Sequence, residues 1–150
     1  TAPSPSSSWS DPSPGYDFWR LVYCRLGGLD YQAKDRSRSS PAFHIPLAEA
    51  MRQICGTPDD TRFAMFGCHG SLTVELYQPL DEDLQQPHDR DECYVVTDGT
   101  GLFEMGNETV SFAPGDFIFL PAGMPHRFSD FGHSITCWVM FYGPGGGEAA

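Results

Sequence analysis

From Thr61 onward, apolar residues recur at every second position in short runs, the period of a strand that buries one face. The runs predict strands at 62–67, 72–78, 92–97, 101–105, 108–112, 116–120, 126–131 and 134–142. They are rich in Val, Phe, Tyr, Ile and Thr, and Asp98-Gly99, Gly106-Asn107 and Pro114-Gly115 mark turns between them. Only Leu47-Ala48-Glu49-Ala50-Met51-Arg52-Gln53-Ile54 reads as helix, about two turns that follow Pro46 and stop before Gly56. Many short strands with regular turns and almost no helix predict an all-β sandwich or barrel.

Before that pattern the chain is different. Residues 1–15 are Ser/Pro-rich and are expected to be a disordered tail. Residues 16–31 hold Tyr16, Phe18, Trp19, Leu21, Val22 and Tyr23, either a short element docking on the barrel or a loose segment. Residues 34–41 read as a linker. The expected organisation is therefore a tail and linker at 1–41, a barrel at 42–144 and a flexible C-terminal tail at 145–150.

Composition narrows the classes of function. A chain of 150 residues that is 40% hydrophobic supports one core. No apolar run approaches the ~20 residues needed to cross a bilayer, so no membrane partner is expected. The net charge is −11; residues 1–41 hold five basic and four acidic side chains, leaving −12 on the remainder. Such a surface repels phosphate backbones, which argues against nucleic acid as a partner. Cys24, Cys55, Cys68, Cys93 and Cys137 include no C-x-x-C pair. Free thiols in a reducing cytoplasm are expected, the first residues showing no basic stretch followed by an apolar one.

The candidate chemistry lies at the start of the strand at 92–97. Gln86, His88, Glu92, Tyr94 and Val96 are all even-numbered, so on one continuous strand they share a face. If that face is the interior, a carboxylate and an imidazole meet there, and a buried carboxylate needs a cation or strong donors. A third ligand must come from a distant strand. His126 is the candidate, because the tight Pro121-Ala122-Gly123-Met124-Pro125 turn fixes where its strand begins.

Two stretches resemble the paired motifs of the cupin superfamily. One reads Gln86-Pro87-His88, three residues, Glu92, six residues and Gly99; the other reads Gly115, five residues, Pro121-Ala122-Gly123, two residues, His126, and Asp130 in the usual Asn position. The resemblance runs over about Leu72–Tyr142 and is tighter in the second motif. It implies a jelly-roll β-barrel, a single divalent metal on His88, Glu92 and His126, a homodimer and a small-molecule substrate. Gln86 stands where the family's first His ligand would be, and Leu80 where its leading Gly would be. The reduced set is that of non-haem iron oxygenases, with Gln86 a weak fourth ligand or a substrate contact. Iron is the expected ion, with manganese, nickel and zinc as alternatives. An iron-dependent dioxygenase is the leading expectation, beside a non-catalytic ligand-binding cupin or a metal-dependent isomerase or lyase. Tyr94 and Trp138 are expected to line the pocket, and Arg90 and Asp91 to form a solvated ion pair. Phe103, Phe112, Phe117, Phe119, Phe128, Trp138 and Phe141 are expected in the core. His44, His69 and His133 are read as ordinary.

Overall fold

Alternation of apolar and polar residues builds eight strands along the chain of a computed structural model that describes residues 42–55 and 62–149. The elements are α1 (Leu47–Cys55), β1 (Arg62–His69), β2 (Leu72–Gln78), β3 (Asp91–Asp98), β4 (Gly101–Met105), β5 (Glu108–Phe112), β6 (Phe117–Leu120), β7 (His126–Ser129) and β8 (Thr136–Tyr142). All pairings are antiparallel, in a five-stranded sheet ordered β1-β2-β8-β3-β6 and a three-stranded sheet ordered β5-β4-β7. The helix and strands stand where the periodicity puts them, with ends displaced by one or two residues in most cases. The tail, the segment at 16–31 and the linker lie outside the described residues.

The strand period sorts side chains onto two faces. Tyr77, Tyr94, Val96, Phe103, Phe112, Ile118, Leu120, Phe128, Cys137 and Val139 converge between the sheets and form the main core with Phe131 and Ile135. On the outer face of the five-stranded sheet, Ala50 and Ile54 of α1 cover Leu76 and pack with Ala64, Phe66 and Trp138. Trp138 is the register partner of Leu76 and Val95, so it belongs to this outer layer and not to the lumen. Phe117 and Phe119 depart from expectation too. β6 turns Ile118 and Leu120 inward, which leaves Phe117 63% and Phe119 46% exposed on its outer side. Among the described residues Cys55, Cys68, Cys93 and Cys137 are free thiols, and no helix is long and apolar enough to cross a membrane.

The turn glycines differ in how much they matter. Gly99 has φ +91°, and a Cβ there would stand 2.7 Å from Ile135 Cγ2, whereas Gly115 at φ +98° has open space around it. Gly99→Ala is expected to cost about 2–4 kcal/mol from backbone strain and overpacking together, and Gly115→Ala about 1 kcal/mol from strain alone. Urea unfolding of the two variants checks the order; equal losses would show that Ile135 moves aside.

Candidate metal centre

Three chain segments bring the candidate ligands together. Glu92 sits near the start of β3 and points inward, 2% exposed. His126 is the first residue of β7, directly after the Pro121–Pro125 turn. His88 lies in the non-strand segment before β3, and its position depends on that same turn, because Gly123 N–H donates to the His88 carbonyl at 2.6 Å. The Phe141 ring lies edge-on to the His88 imidazole with centroids 4.8 Å apart. Donor atoms of His88, Glu92 and His126 all lie within 4.8 Å of one another.

The hydrogen bonding of this cluster is incomplete in an informative way. His126 Nδ1 is 2.7 Å from the Met124 carbonyl, which can only accept, so Nδ1 carries the proton and Nε2 presents a lone pair. That Nε2 faces Glu92 Oε2 at 3.2 Å, and His88 Nε2 faces Glu92 Oε1 at 3.7 Å. Both carboxylate oxygens are buried without a hydrogen-bond donor. The His126 Nε2 lone pair pointing at a buried carboxylate repels it unless a cation, a proton or a metal, sits between them. An ion about 2.0–2.2 Å from each donor separates neighbouring donors by roughly 3.0–3.5 Å; the His126–Glu92 separation lies in that range, the His88–Glu92 one is slightly longer, and the trio, spread over as much as 4.8 Å, would draw in around the ion. The residues fit one divalent ion.

Burial and charge act on the histidines in opposite senses. Burial would depress His126, but the Glu92 carboxylate and the Met124 carbonyl outweigh it and raise its pKa above the ordinary imidazole range. At His88 burial prevails over the Glu92 charge and lowers the pKa.

Residues 73–142 match the family model described as Cupin domain. An uncharacterized protein of Streptomyces coelicolor is 32% identical over 106 residues, 69% of this chain and 96% of that protein. The chain belongs to the cupin superfamily. Among solved structures, a protein of unknown function from Rhizobium leguminosarum superposes with a TM-score of 0.61 at 17% identity, covering 70% of this chain and all of that one. A DMSP lyase structure is 29% identical with a TM-score of 0.47; it matches 56% of this chain, which spans 49% of the lyase chain.

Around the ligands this cupin holds a polar network that the sequence pattern did not single out. Tyr94, fully buried on β3, places its hydroxyl 3.1 Å from His126 Nε2 and donates to Gln85 Oε1 at 2.7 Å. Gln85 Nε2 donates to Asp83 Oδ2 at 2.7 Å. Asp83, 7% exposed, also accepts from Tyr77 Oη at 2.6 Å, from Phe128 N–H at 2.8 Å and from Gln85 N–H at 3.1 Å. Asp83 sits in an Asp81-Glu82-Asp83 run that reads as solvated surface, and only the folded path of the loop reveals it as buried.

Other expectations change. Residues 83–88 are not strand, so the shared parity does not carry back to Gln86; Gln86 is exposed and its amide lies 3.5 Å from the Leu84 carbonyl. Gln85 takes the inward place. Arg90 donates to the Ser71 carbonyl, not to Asp91. Asp91 is buried and accepts from Ala122 N–H at 2.9 Å and Glu148 N–H at 2.8 Å. Together with the bond from Gly146 N–H to the Asp89 carbonyl at 2.6 Å, this ties the C-terminal residues to the His88 segment, where a free tail was expected. His44 and His69 are exposed away from the cluster, and His133 pairs with Asp81 at 2.6 Å.

The opposite pKa shifts of the two histidines set how metal binding should respond to pH. A metal must displace the proton that Glu92 stabilises on His126, so apparent divalent-ion affinity should rise as pH climbs through the raised His126 pKa. His88, already easier to deprotonate, should not limit binding. Cobalt(II) titrations between about pH 6 and pH 8 check this; an affinity independent of pH would remove His126 from the ligand set.

Proposed function

We propose that this cupin is a mononuclear divalent-metal enzyme acting on a small organic molecule, with iron as its ion and oxygenation as its reaction. The observation that carries the proposal is a buried Glu92 carboxylate without hydrogen-bond donors, faced by His126 Nε2 at 3.2 Å and His88 Nε2 at 3.7 Å. Among the described residues no further His, Cys, Asp or Glu joins the group. Two imidazoles and one carboxylate leave coordination positions for exogenous ligands, and an iron ion held this way supplies Lewis acidity and electron exchange with dioxygen.

The chain's own residues do the rest. Met124 holds the His126 ring with Nε2 toward Glu92. The His88 side chain, 34% exposed, leaves the cluster approachable from its side. Tyr94, Phe103 and Phe128 pack ring to ring beneath the ligands, so the lumen below is filled and a substrate must be small. The homodimer implied by family resemblance belongs to the same proposal and is tested by sedimentation velocity.

The Tyr94 hydroxyl favours a second reading, a metal-dependent isomerase or lyase in which proton transfer replaces oxygen chemistry. That hydroxyl stands 3.1 Å from His126 Nε2, beside any molecule the cluster would hold; burial first, and the Glu92 charge next, raise its pKa and keep it an O–H group, and a bound cation would offset both and make it the proton donor of this reading. Oxygen uptake decides between the readings. Protein purified without oxygen and loaded with iron(II) should consume O₂ only with a member of a small-metabolite panel. Turnover of such a compound without O₂ by zinc- or manganese-loaded protein would establish the second reading. Ligand binding to metal-free protein with no turnover would make this a binding module.

A further inference from the structure

The hydrogen-bond chain from Asp83 to the ligand cluster has a fixed direction. Asp83 gathers donors from Tyr77, Phe128 and Gln85, so both of its oxygens act as acceptors. The Gln85 amide must therefore turn its NH₂ group to Asp83 and its carbonyl oxygen to Tyr94. At 2.7 Å that oxygen accepts the hydrogen bond of the Tyr94 hydroxyl. The other acceptors at hand, His126 Nε2 at 3.1 Å and the Glu92 carboxylate, are the lone pairs a metal would use. With the proton committed to Gln85, the phenolic oxygen turns its lone pairs toward the site.

We infer that Tyr94 is a fixed hydrogen-bond acceptor beside the metal centre, and that it selects chelating ligands whose coordinating oxygen carries a proton, as in 2-hydroxycarboxylates. The inference rests on the metal reading above and adds the ligand class. A hydroxyl oxygen bound to a cation becomes a stronger donor, and Tyr94 offers it a nearby, desolvated acceptor. An ether oxygen in the same place brings no proton and leaves the two oxygens facing each other, a lone-pair contact that disfavours binding. Gln85 and Asp83 are positioning residues that set the polarity from behind.

Glycolate and methoxyacetate offer the same carboxylate and the same chelate ring, and differ in that one oxygen carries a proton or a methyl group. Cobalt(II)-loaded protein, followed by its visible spectrum, reports the affinity of each without any turnover. Wild type should prefer glycolate by about five- to tenfold beyond the remainder that persists in Tyr94→Phe, the gain of one good hydrogen bond. Tyr94→Phe removes only the hydroxyl, so that remainder measures the bulk of the methyl group. Gln85→Leu frees the Tyr94 proton to turn inward, and the preference should shrink toward or below the Tyr94→Phe value. A change in that ratio is not what a merely structural role for Gln85 would produce. The same ratio in wild type and Tyr94→Phe, or no binding of either ligand to cobalt-loaded protein, would overturn the inference and leave the metal site standing. A ratio lost in Tyr94→Phe but unchanged in Gln85→Leu would overturn the polarity assigned to Gln85. Failure of wild type to bind cobalt would overturn both readings together.

Discussion

Glu92→Gln is expected to stabilise the metal-free protein by about 1–3 kcal/mol while weakening divalent-metal binding more than ~100-fold. The two effects have one cause. Glu92 is 2% exposed and neither of its oxygens has a fixed donor, so whenever His126 is neutral the metal-free fold carries the cost of a buried charge without a partner. Glutamine keeps the volume, removes the charge, and offers an NH₂ group to the His126 Nε2 lone pair. The gain should depend on pH in a definite sense. The folded pKa of His126 is raised, so its protonated form stabilises wild type below the ordinary imidazole range, and that contribution is lost as pH rises through the raised value. The advantage of Glu92→Gln should therefore grow toward alkaline pH. Urea unfolding of metal-free protein across pH, with cobalt titrations in parallel, measures both. A variant less stable than wild type at alkaline pH would show that Glu92 already has a partner.

The largest loss of stability at the site is expected from Asp83→Ala, about 3–5 kcal/mol. The substitution strips four hydrogen bonds from a buried carboxylate and leaves the Tyr77 hydroxyl and the Phe128 N–H inside without an acceptor. Asp83 also anchors the segment that carries Gln85 and His88, so metal affinity should fall by about 10–100-fold, as for loss of a group that orients a ligand. Chemical denaturation gives the first quantity and metal titration the second. A loss under 1 kcal/mol would mean that water takes the place of the carboxylate.

The strands were legible because their inward and outward residues alternate, and the candidate ligand trio because its spacing survives as a motif. His88, Glu92 and His126 meet as the two stretches suggest. What could not be read was direction within the loop at 83–88. Parity holds only along a continuous strand, and one residue of irregular backbone exchanges Gln86 for Gln85. Trp138, Phe117 and Phe119 misled for a related reason. An aromatic residue reads as core, but in a sheet covered by a single short helix the outer face also carries large side chains, some under α1 and some exposed. Asp91 was hidden because its partners, Ala122 and Glu148, are backbone amides far along the chain.

A single ion is expected to sit between His88, Glu92 and His126. An anomalous-difference map from crystals of cobalt(II)-loaded protein tests it without reference to any reaction. One peak per chain is expected, about 2.0–2.2 Å from a nitrogen of each histidine and from the Glu92 carboxylate, with Tyr94 still bonded to Gln85. A peak elsewhere, or a cluster that stays empty in protein carrying stoichiometric cobalt, would contradict it.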